Sequence, residues 1–125
     1  MYSIAIDGPA GAGKSTIAKT IAKKLEFIYV DTGAMYRAMA LHLLRQGIVP
    51  GEEAQMDAAC ENAEISIVYE NGAQQVLLNG ENVTGDLRRE EVGNMASAIS
   101  GYKPVREKLV ELQRELAARK DVVMD

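Results

Sequence analysis

The chain has 125 residues, a length that favours one domain, or one domain with a small insertion. Hydrophobic residues make up 47% of it and charged residues 26%, which is enough apolar material for a packed core and excludes wholesale disorder. Fourteen Lys and Arg against eighteen Asp and Glu give a net charge of −4. We therefore expect no nucleic-acid partner, because a protein that coats a duplex needs a surplus of cations.

The chain shows neither a membrane-spanning pattern nor a leader pattern. It has no run of about 18 apolar residues, and Met1 leads directly into an alternating segment. We expect no membrane partner and a cytoplasmic location. The single Cys60 cannot form an intramolecular disulfide, and its alanine-rich surroundings predict a small core residue.

The first part of the chain has the order of a βαβ unit. Residues 3–7 form a short apolar run that predicts a buried strand, and Gly8 and Pro9 stop it. Residues 27–30 predict a second strand, buried on both faces of a parallel sheet. Between them, apolar residues at helical spacing predict an amphipathic helix from Lys14 onward. These residues are Ile17, Ala18, Ile21, Ala22 and Leu25.

A second, well-buried helix is predicted over residues 34–45, and Gly47 closes it. His42 lies between leucines in this helix. A histidine in that setting packs more often than it acts as a general base. A third helix is predicted near residues 52–62.

An antiparallel segment follows. Residues 65–69 and 75–78 are apolar runs joined by Asn71-Gly72, a strong hairpin signal. Asn79-Gly80 predicts a second turn, before a short strand over residues 81–83 and a helix over residues 89–99.

One more helix is predicted near the end of the sequence. Pro104 suits its first turn, and a single apolar stripe runs along it. The stripe consists of Val105, Leu109, Leu112 and Leu116. The fold class is therefore α/β, with residues 1–50 and 100–125 forming a parallel-sheet core flanked by helices. Residues 51–99 form a small antiparallel-β plus helix insertion.

One glycine-rich segment carries chemistry. It fits the pattern G-x-x-x-x-G-K-[ST] and lies between a predicted strand and a predicted helix, as phosphate binding requires. Its residues and the one that follows are Gly8, Pro9, Ala10, Gly11, Ala12, Gly13, Lys14, Ser15 and Thr16. Backbone N–H groups would surround the β-phosphate of a nucleoside triphosphate, with Lys14 reaching the β and γ phosphates and the Ser15 hydroxyl ligating Mg²⁺. An ordinary glycine-rich loop is the alternative.

The residues after the second predicted strand point to an acceptor. The run from Asp31 to Arg37, D-T-G-A-M-Y-R, places polar groups at the carboxyl end of a strand, where open α/β sheets bind ligands. The Arg37 guanidinium suits an acceptor that bears a phosphate. A surface arginine at the start of a helix is the alternative reading of this residue.

These segments resemble the bacterial cytidylate kinases, members of the P-loop nucleoside monophosphate kinase superfamily that move the γ-phosphoryl group of ATP to CMP or dCMP. The resemblance runs nearly end to end. It is carried by residues 4–9, residues 31–37, Glu91-Val92 with Ala96-Ser97, and Val105-Arg106 with Gln113-Arg114.

The resemblance implies a P-loop NTPase-type fold and a role for each matching residue. The loop from Gly8 to Thr16 corresponds to the ATP site, with Lys14 and Arg37 as catalytic residues. Contacts to the acceptor fall on Asp31, Thr32, Gly33, Tyr36, Arg37, Ser97 and Arg106. A hydroxyl and a guanidinium at Ser97 and Arg106 can satisfy the cytosine edge. A small helical residue and a solvated helix face remain the alternatives for these two.

The resemblance also implies in-line phosphoryl transfer with Mg²⁺, no covalent enzyme intermediate, and a monomer. The insertion is expected to be the subdomain that binds the nucleoside monophosphate and closes over it. We assign none of Arg88, Arg89 and Arg114 to direct contact with the substrate.

Members of the family continue well past the position of Asp125, into a mobile lid and further sheet. The chain is therefore expected to be an amino-terminal fragment, incomplete at its C-terminus. We expect it to expose apolar sheet and to transfer phosphate slowly if at all.

Two other functions stay open on the sequence. The first is a P-loop kinase for another small acceptor, such as adenylate, shikimate or dephospho-coenzyme A. The second is a nucleotide-binding module without turnover, because the phosphate loop alone is shared by many functions.

Overall fold

A computed structural model describes residues 2–6, 13–70 and 73–124, with the backbone alone at residues 14 and 15. Two sheets, five α-helices and one 3-10 helix lie within these residues. The strands are β1 Ser3–Ala5, β2 Ile28–Val30, β3 Ile65–Glu70, β4 Ala73–Leu78, β5 Glu81–Asn82 and β6 Val122–Met124. The helices are α1 Lys14–Leu25, α2 Thr32–Arg45, α3 Glu53–Glu61, α4 Glu90–Ile99 and α5 Lys103–Arg119, with the 3-10 helix at Asp86–Arg88. The predicted α/β class is confirmed.

The first compact unit comprises residues 1–31 and 113–125. Its three-stranded sheet has the order β1-β6-β2, and both pairings are parallel. β6 therefore lies between the two strands of the predicted βαβ unit, aligned with Ser3 on one side and Ile28 on the other at Val122. Helix α1 packs against β2 and β6. The parallel sheet predicted from the sequence is confirmed.

Burial in this unit differs from the sequence prediction at three places. β1 is not a buried strand, because its Ser3 and Ala5 are exposed, whereas β2, the other outer strand, is buried beside α1. Ile17 and Leu25 of α1 are 51% and 48% exposed. Ile17 lies at the edge of the apolar stripe and Leu25 is the last residue of the helix, so Ala18 and Ala22 form its buried face.

The second compact unit comprises residues 32–112 and is built around α2. This helix packs against α3, α4, the 3-10 helix and strands β3 and β4. Its buried residues are Met35, Ala38, Met39, Ala40, Leu41, His42 and Leu43. His42 donates from Nε2 to the carbonyl oxygen of Ala59 at 2.9 Å. The predicted buried helix and the packed histidine are confirmed, with the helix starting two residues earlier than expected.

The antiparallel sheet of the second unit has the order β3-β4-β5. The predicted hairpin is confirmed by the pairing of Ile65 with Leu78 and of Glu70 with Ala73, while its turn at Asn71-Gly72 lies outside the described residues. Asn79 and Gly80 both have positive φ, 50° and 85°, as a tight turn between β4 and β5 requires.

Helices α4 and α5 complete the second unit, and the last part of α5 belongs to the first unit. In α5, Pro104 lies in the first turn and the predicted apolar stripe is buried, as expected. The second unit extends beyond the predicted insertion at residues 51–99 on both sides, since it includes α2 and most of α5. The boundaries of that insertion stay a prediction. Of the helices described, none is both long enough and apolar enough to cross a membrane.

Candidate functional site

The N-terminus of α1 is shaped by a glycine in the left-handed region. Gly13 has φ 77° and ψ 17°, and its carbonyl oxygen accepts the first helical hydrogen bond from the N–H of Ile17 at 3.0 Å. Among the described residues, a Cβ added at Gly13 would meet no atom within 4 Å. The positive φ of Gly13 favours glycine here.

This helix start is suited to an anion. The N–H groups of the first turn of an α-helix have no partner within the helix, and they carry partial positive charge. The first turn of α1 contains no acidic residue that would oppose a phosphate. Thr16 is exposed there, and its carbonyl oxygen accepts a hydrogen bond from Thr20 Oγ1 at 2.9 Å.

The remaining predicted phosphate-binding residues lie outside the described part of the structure. These are residues 8–12, together with the side chains of Lys14 and Ser15. Their predicted roles around a triphosphate and its metal ion stay predictions.

The parallel register places two predicted site segments at one edge of the first sheet. Ala5 of β1 and Val30 of β2 both align with Met124 of β6. The N–H of Ile6 continues this ladder by donating to the carbonyl oxygen of Met124 at 2.7 Å. The chain that leads into the glycine-rich segment and the half-buried Asp31 therefore leave the sheet at the same carboxyl edge, where open α/β sheets bind ligands.

Four predicted acceptor residues lie at the start of α2 in the second unit. Thr32 and Tyr36 are half-buried, and Gly33 and Arg37 are exposed. The buried Met35 between them anchors the turn, so the exposed polar groups are presented from a helix that is held by its apolar side.

The two residues predicted to read the cytosine edge are exposed on helices of the same second unit. Ser97 lies on α4, which packs against α2, and its carbonyl oxygen accepts a hydrogen bond from Ser100 Oγ at 3.0 Å. Arg106 lies in the first turns of α5, where its N–H donates to the carbonyl oxygen of Tyr102 at 3.1 Å. The backbone at both positions is thus fixed while the side chains face solvent.

The arginines that we did not assign to the substrate are also exposed: Arg88, Arg89 and Arg114. Arg89 forms an ion pair with Glu91. The pKa of the Glu91 carboxyl lies below its usual value because of a backbone hydrogen bond and, after it, the hydrogen bond from Arg89.

One charged cluster was missed by the sequence reasoning. Arg45, at the last turn of α2, binds Glu81 with both arms of its guanidinium, and Asp86 lies nearby. A separation of 36 residues between Arg45 and Glu81 leaves no local sequence signal for this pairing. Within the described residues, no group of three or more His, Cys, Asp or Glu side chains could hold a metal ion.

Comparison with known proteins finds one family. The model of the cytidylate kinase family matches residues 4–125. A cytidylate kinase of Caldicellulosiruptor saccharolyticus is 51% identical over 123 residues, which cover 98% of this chain and 54% of that protein. Cytidylate kinases of Desulfitobacterium hafniense and Lactobacillus johnsonii are 51% and 45% identical, over 98% and 100% of this chain and 52% and 54% of their own lengths. The chain thus spans about half the length of the curated relatives it matches.

Proposed function

This chain belongs to the cytidylate kinase family, and from that premise we propose that the protein transfers the γ-phosphoryl group of ATP to CMP or dCMP. The observation that carries the proposal is the shared edge of the first sheet. There the glycine-rich segment follows β1 and Asp31 follows β2, the two strands that flank β6 in the same parallel register. The segment that would bind the phosphate donor and the first of the acceptor residues thus leave one edge of the same sheet.

The donor side would use main-chain groups. The left-handed Gly13 and the first turn of α1 aim N–H groups away from the helix, and a triphosphate is the anion that the full G-x-x-x-x-G-K-[ST] pattern serves. Lys14 would place its ammonium beside the β and γ phosphates. No covalent intermediate on the protein is needed, since positioning and charge neutralisation account for most of the catalysis in this reaction class.

A divalent metal ion fits the donor side. Ser15 lies in the first turn of α1, and its hydroxyl is the hard oxygen ligand that Mg²⁺ takes together with phosphate oxygens. When bound, the ion neutralises charge on the transferring group. Ser15 would orient it, and Lys14 would neutralise the phosphate oxygens that the ion leaves uncovered.

The acceptor side would use side chains of the second unit. Arg37 is exposed on a helix that the buried Met35 and Ala38 hold in place, so its guanidinium is accessible to a monophosphate and can bind it with charge-assisted hydrogen bonds. Thr32 and Tyr36 offer hydroxyls near the same helix end. Ser97 and Arg106 offer the donors and acceptors that would distinguish cytosine from uracil or adenine.

A coupled assay on the intact protein tests this proposal. ADP release is measured with ATP-Mg²⁺ and equal concentrations of CMP, dCMP, UMP or AMP. We expect CMP and dCMP to give the highest kcat/KM. Equal use of AMP would support a kinase for another acceptor, and ATP binding without product from any monophosphate would support a binding module.

Two lysines of α1 provide a matched pair of variants for the same assay. Lys14→Ala removes the proposed phosphate ligand and should lower kcat by about 100-fold or more, the usual cost of losing one donor to a developing charge. Lys23→Ala removes one positive charge from the exposed last turn of the same helix and should leave kcat unchanged. Equal losses in the two variants would contradict a specific role for Lys14.

A further inference from the structure

A three-residue ion cluster links separate elements of the second unit. Arg45 Nη1 and Nη2 donate to the two carboxylate oxygens of Glu81 at 3.1 and 3.0 Å, and Nη2 lies 3.8 Å from Asp86 Oδ2. Arg45 belongs to α2, Glu81 to β5, and Asp86 to the 3-10 helix. We call these three residues the Arg45 clamp.

Apolar residues, including methionines on both helices, form the buried core at the contact between α2 and α4. Met35 and Met39 of α2 and Met95 of α4 are buried in the second unit. Methionine is flexible and fills irregular gaps, and apolar burial has no preferred direction. Such packing stabilises the contact, and a directional hydrogen-bonded contact adds a separate constraint on the spacing of the helices.

The Arg45 clamp is a directional contact, because both nitrogen atoms of the guanidinium bind the carboxylate of Glu81. A guanidinium that binds both oxygens of one carboxylate has one favoured plane and distance, whereas an ammonium acts as a point charge. Hydrogen bonding to Glu81 raises the pKa of Arg45 above its ordinary value, so the cation is retained.

The segment that carries Glu81 and Asp86 is itself tied to β4. Asn82 Oδ1 accepts hydrogen bonds from the Thr84 N–H and hydroxyl at 3.1 and 2.8 Å, and Thr84 Oγ1 accepts one from the Val76 N–H at 2.8 Å. Because of these hydrogen bonds, the contact between Arg45 and Glu81 positions residues 81–86 together. The 3-10 helix packs on both α2 and α4, and α4 starts two residues after it ends.

We propose that Arg45 is a positioning residue for the acceptor. By binding Glu81 and Asp86, it fixes the position of α4, which carries Ser97, relative to α2, which carries Arg37. This inference rests on the proposed function, because it concerns the residues assigned there to the monophosphate. The clamp acts on geometry more than on stability. The side chains of Arg45, Glu81 and Asp86 are 42%, 58% and 42% exposed, and exposed ion pairs add little to the free energy of unfolding.

Titration of the intact protein with CMP and with ATP tests the proposal. We expect Arg45→Ala to weaken CMP binding about fivefold, a typical effect of a residue that couples to a site without touching its ligand. ATP affinity and the midpoint of thermal unfolding should stay close to those of the parent protein. Arg45→Lys keeps the charge but not the two-armed geometry, so it should weaken CMP binding nearly as much.

Two further variants give the controls. Lys103→Ala breaks an exposed ion pair with Glu107 inside a single helix, and it should leave CMP affinity unchanged. Arg45→Ala combined with Glu81→Ala should weaken CMP binding no more than Arg45→Ala alone, because the two residues act as one unit. Unchanged CMP affinity in Arg45→Ala would overturn the proposal, as would equal weakening of CMP and ATP binding.

Amide hydrogen exchange without nucleotide separates this inference from the proposed function. We expect residues 86–93 to exchange faster in Arg45→Ala than in the parent protein or in Lys103→Ala, because the 3-10 helix loses its hold on α2. A parent protein that binds no CMP would refute the proposed function alone. Unchanged exchange in Arg45→Ala would refute the clamp, whatever the nucleotide results.

Discussion

The two compact units differ in how well they bury their apolar residues. In the second unit, α2 alone buries seven consecutive or near-consecutive residues, and the hairpin adds Ile65, Ile67, Val76 and Leu78. In the first unit, β1 has exposed residues and two large apolar side chains of α1 face solvent. Among the described residues, the first unit thus has a small core between α1 and its short strands, and the second a larger core packed around α2.

This difference matches the kind of chemistry that each unit would perform. A phosphate nest needs backbone N–H groups and a positive φ at Gly13, which a small unit can provide. Recognition of a base and a phosphate by side chains needs helices held in fixed positions, which takes a well-buried core. Variants of the two units should therefore fail in different ways.

The largest expected difference is in stability. Leu43→Ala empties a fully buried site of α2 and should lower the free energy of unfolding by about 2 to 5 kcal/mol. Leu25→Ala, the same change at a half-exposed position of α1, should alter it by no more than about 0.5 kcal/mol. Urea denaturation measures both, and equal losses would contradict the contrast in burial between the units.

Arg37 sharpens the comparison on the acceptor side. Arg37→Ala should raise the KM for CMP about tenfold or more, since a charge-assisted hydrogen bond contributes roughly 1.5 to 3 kcal/mol, and should leave the KM for ATP unchanged. Arg119→Ala, an exposed arginine at the end of α5, is the control for lost charge. A parallel rise in both KM values would mean that Arg37 does not belong to the acceptor site.

Ser97 tests base recognition with a smaller effect. Ser97→Ala should reduce the preference for CMP over UMP about tenfold, because one polar contact to the base edge would be lost. The hydroxyl of Ser100 donates to the Ser97 carbonyl oxygen instead, so Ser100→Ala should keep the preference. The measurement is the ratio of the kcat/KM values for CMP and UMP. An unchanged ratio in Ser97→Ala would show that this residue does not contact cytosine.

Several features of the second unit were predictable because they are local. The buried stripe of α5, the Asn79-Gly80 turn and the packing of His42 all follow from spacing or turn chemistry within a few residues. The antiparallel hairpin also follows from two neighbouring apolar runs.

What the sequence could not provide depends on distant parts of the chain. The place of β6 between β1 and β2 joins residues at opposite ends of the sequence, and the exposure of residues 3 and 5 of β1 beside the buried β2 has no local sequence signal. The pairing of Arg45 with Glu81 likewise has no local pattern. For the site, motif spacing predicts which residues carry chemistry, but only the register shows that Asp31 and the segment after β1 leave the sheet at the same edge, on either side of β6.

The reactivity of Cys60 tests the packing of α3. Burial, followed by the nearby Asp57, raises the pKa of its thiol, so the reactive thiolate is scarce at neutral pH. We expect a thiol reagent at pH 8 to modify Cys60 at least about 100-fold more slowly in the native protein than in urea. Comparable rates in the two conditions would show that α3 opens readily.

A nuclear magnetic resonance titration of the intact protein with ATP-Mg²⁺ and then CMP tests the central claim most directly. The account predicts that ATP-Mg²⁺ shifts the backbone amides of residues 13–17, and that CMP shifts those of residues 31–37 together with Ser97 and Arg106. Shifts from ATP-Mg²⁺ that spare the start of α1, or shifts from CMP that spare the start of α2, would contradict it.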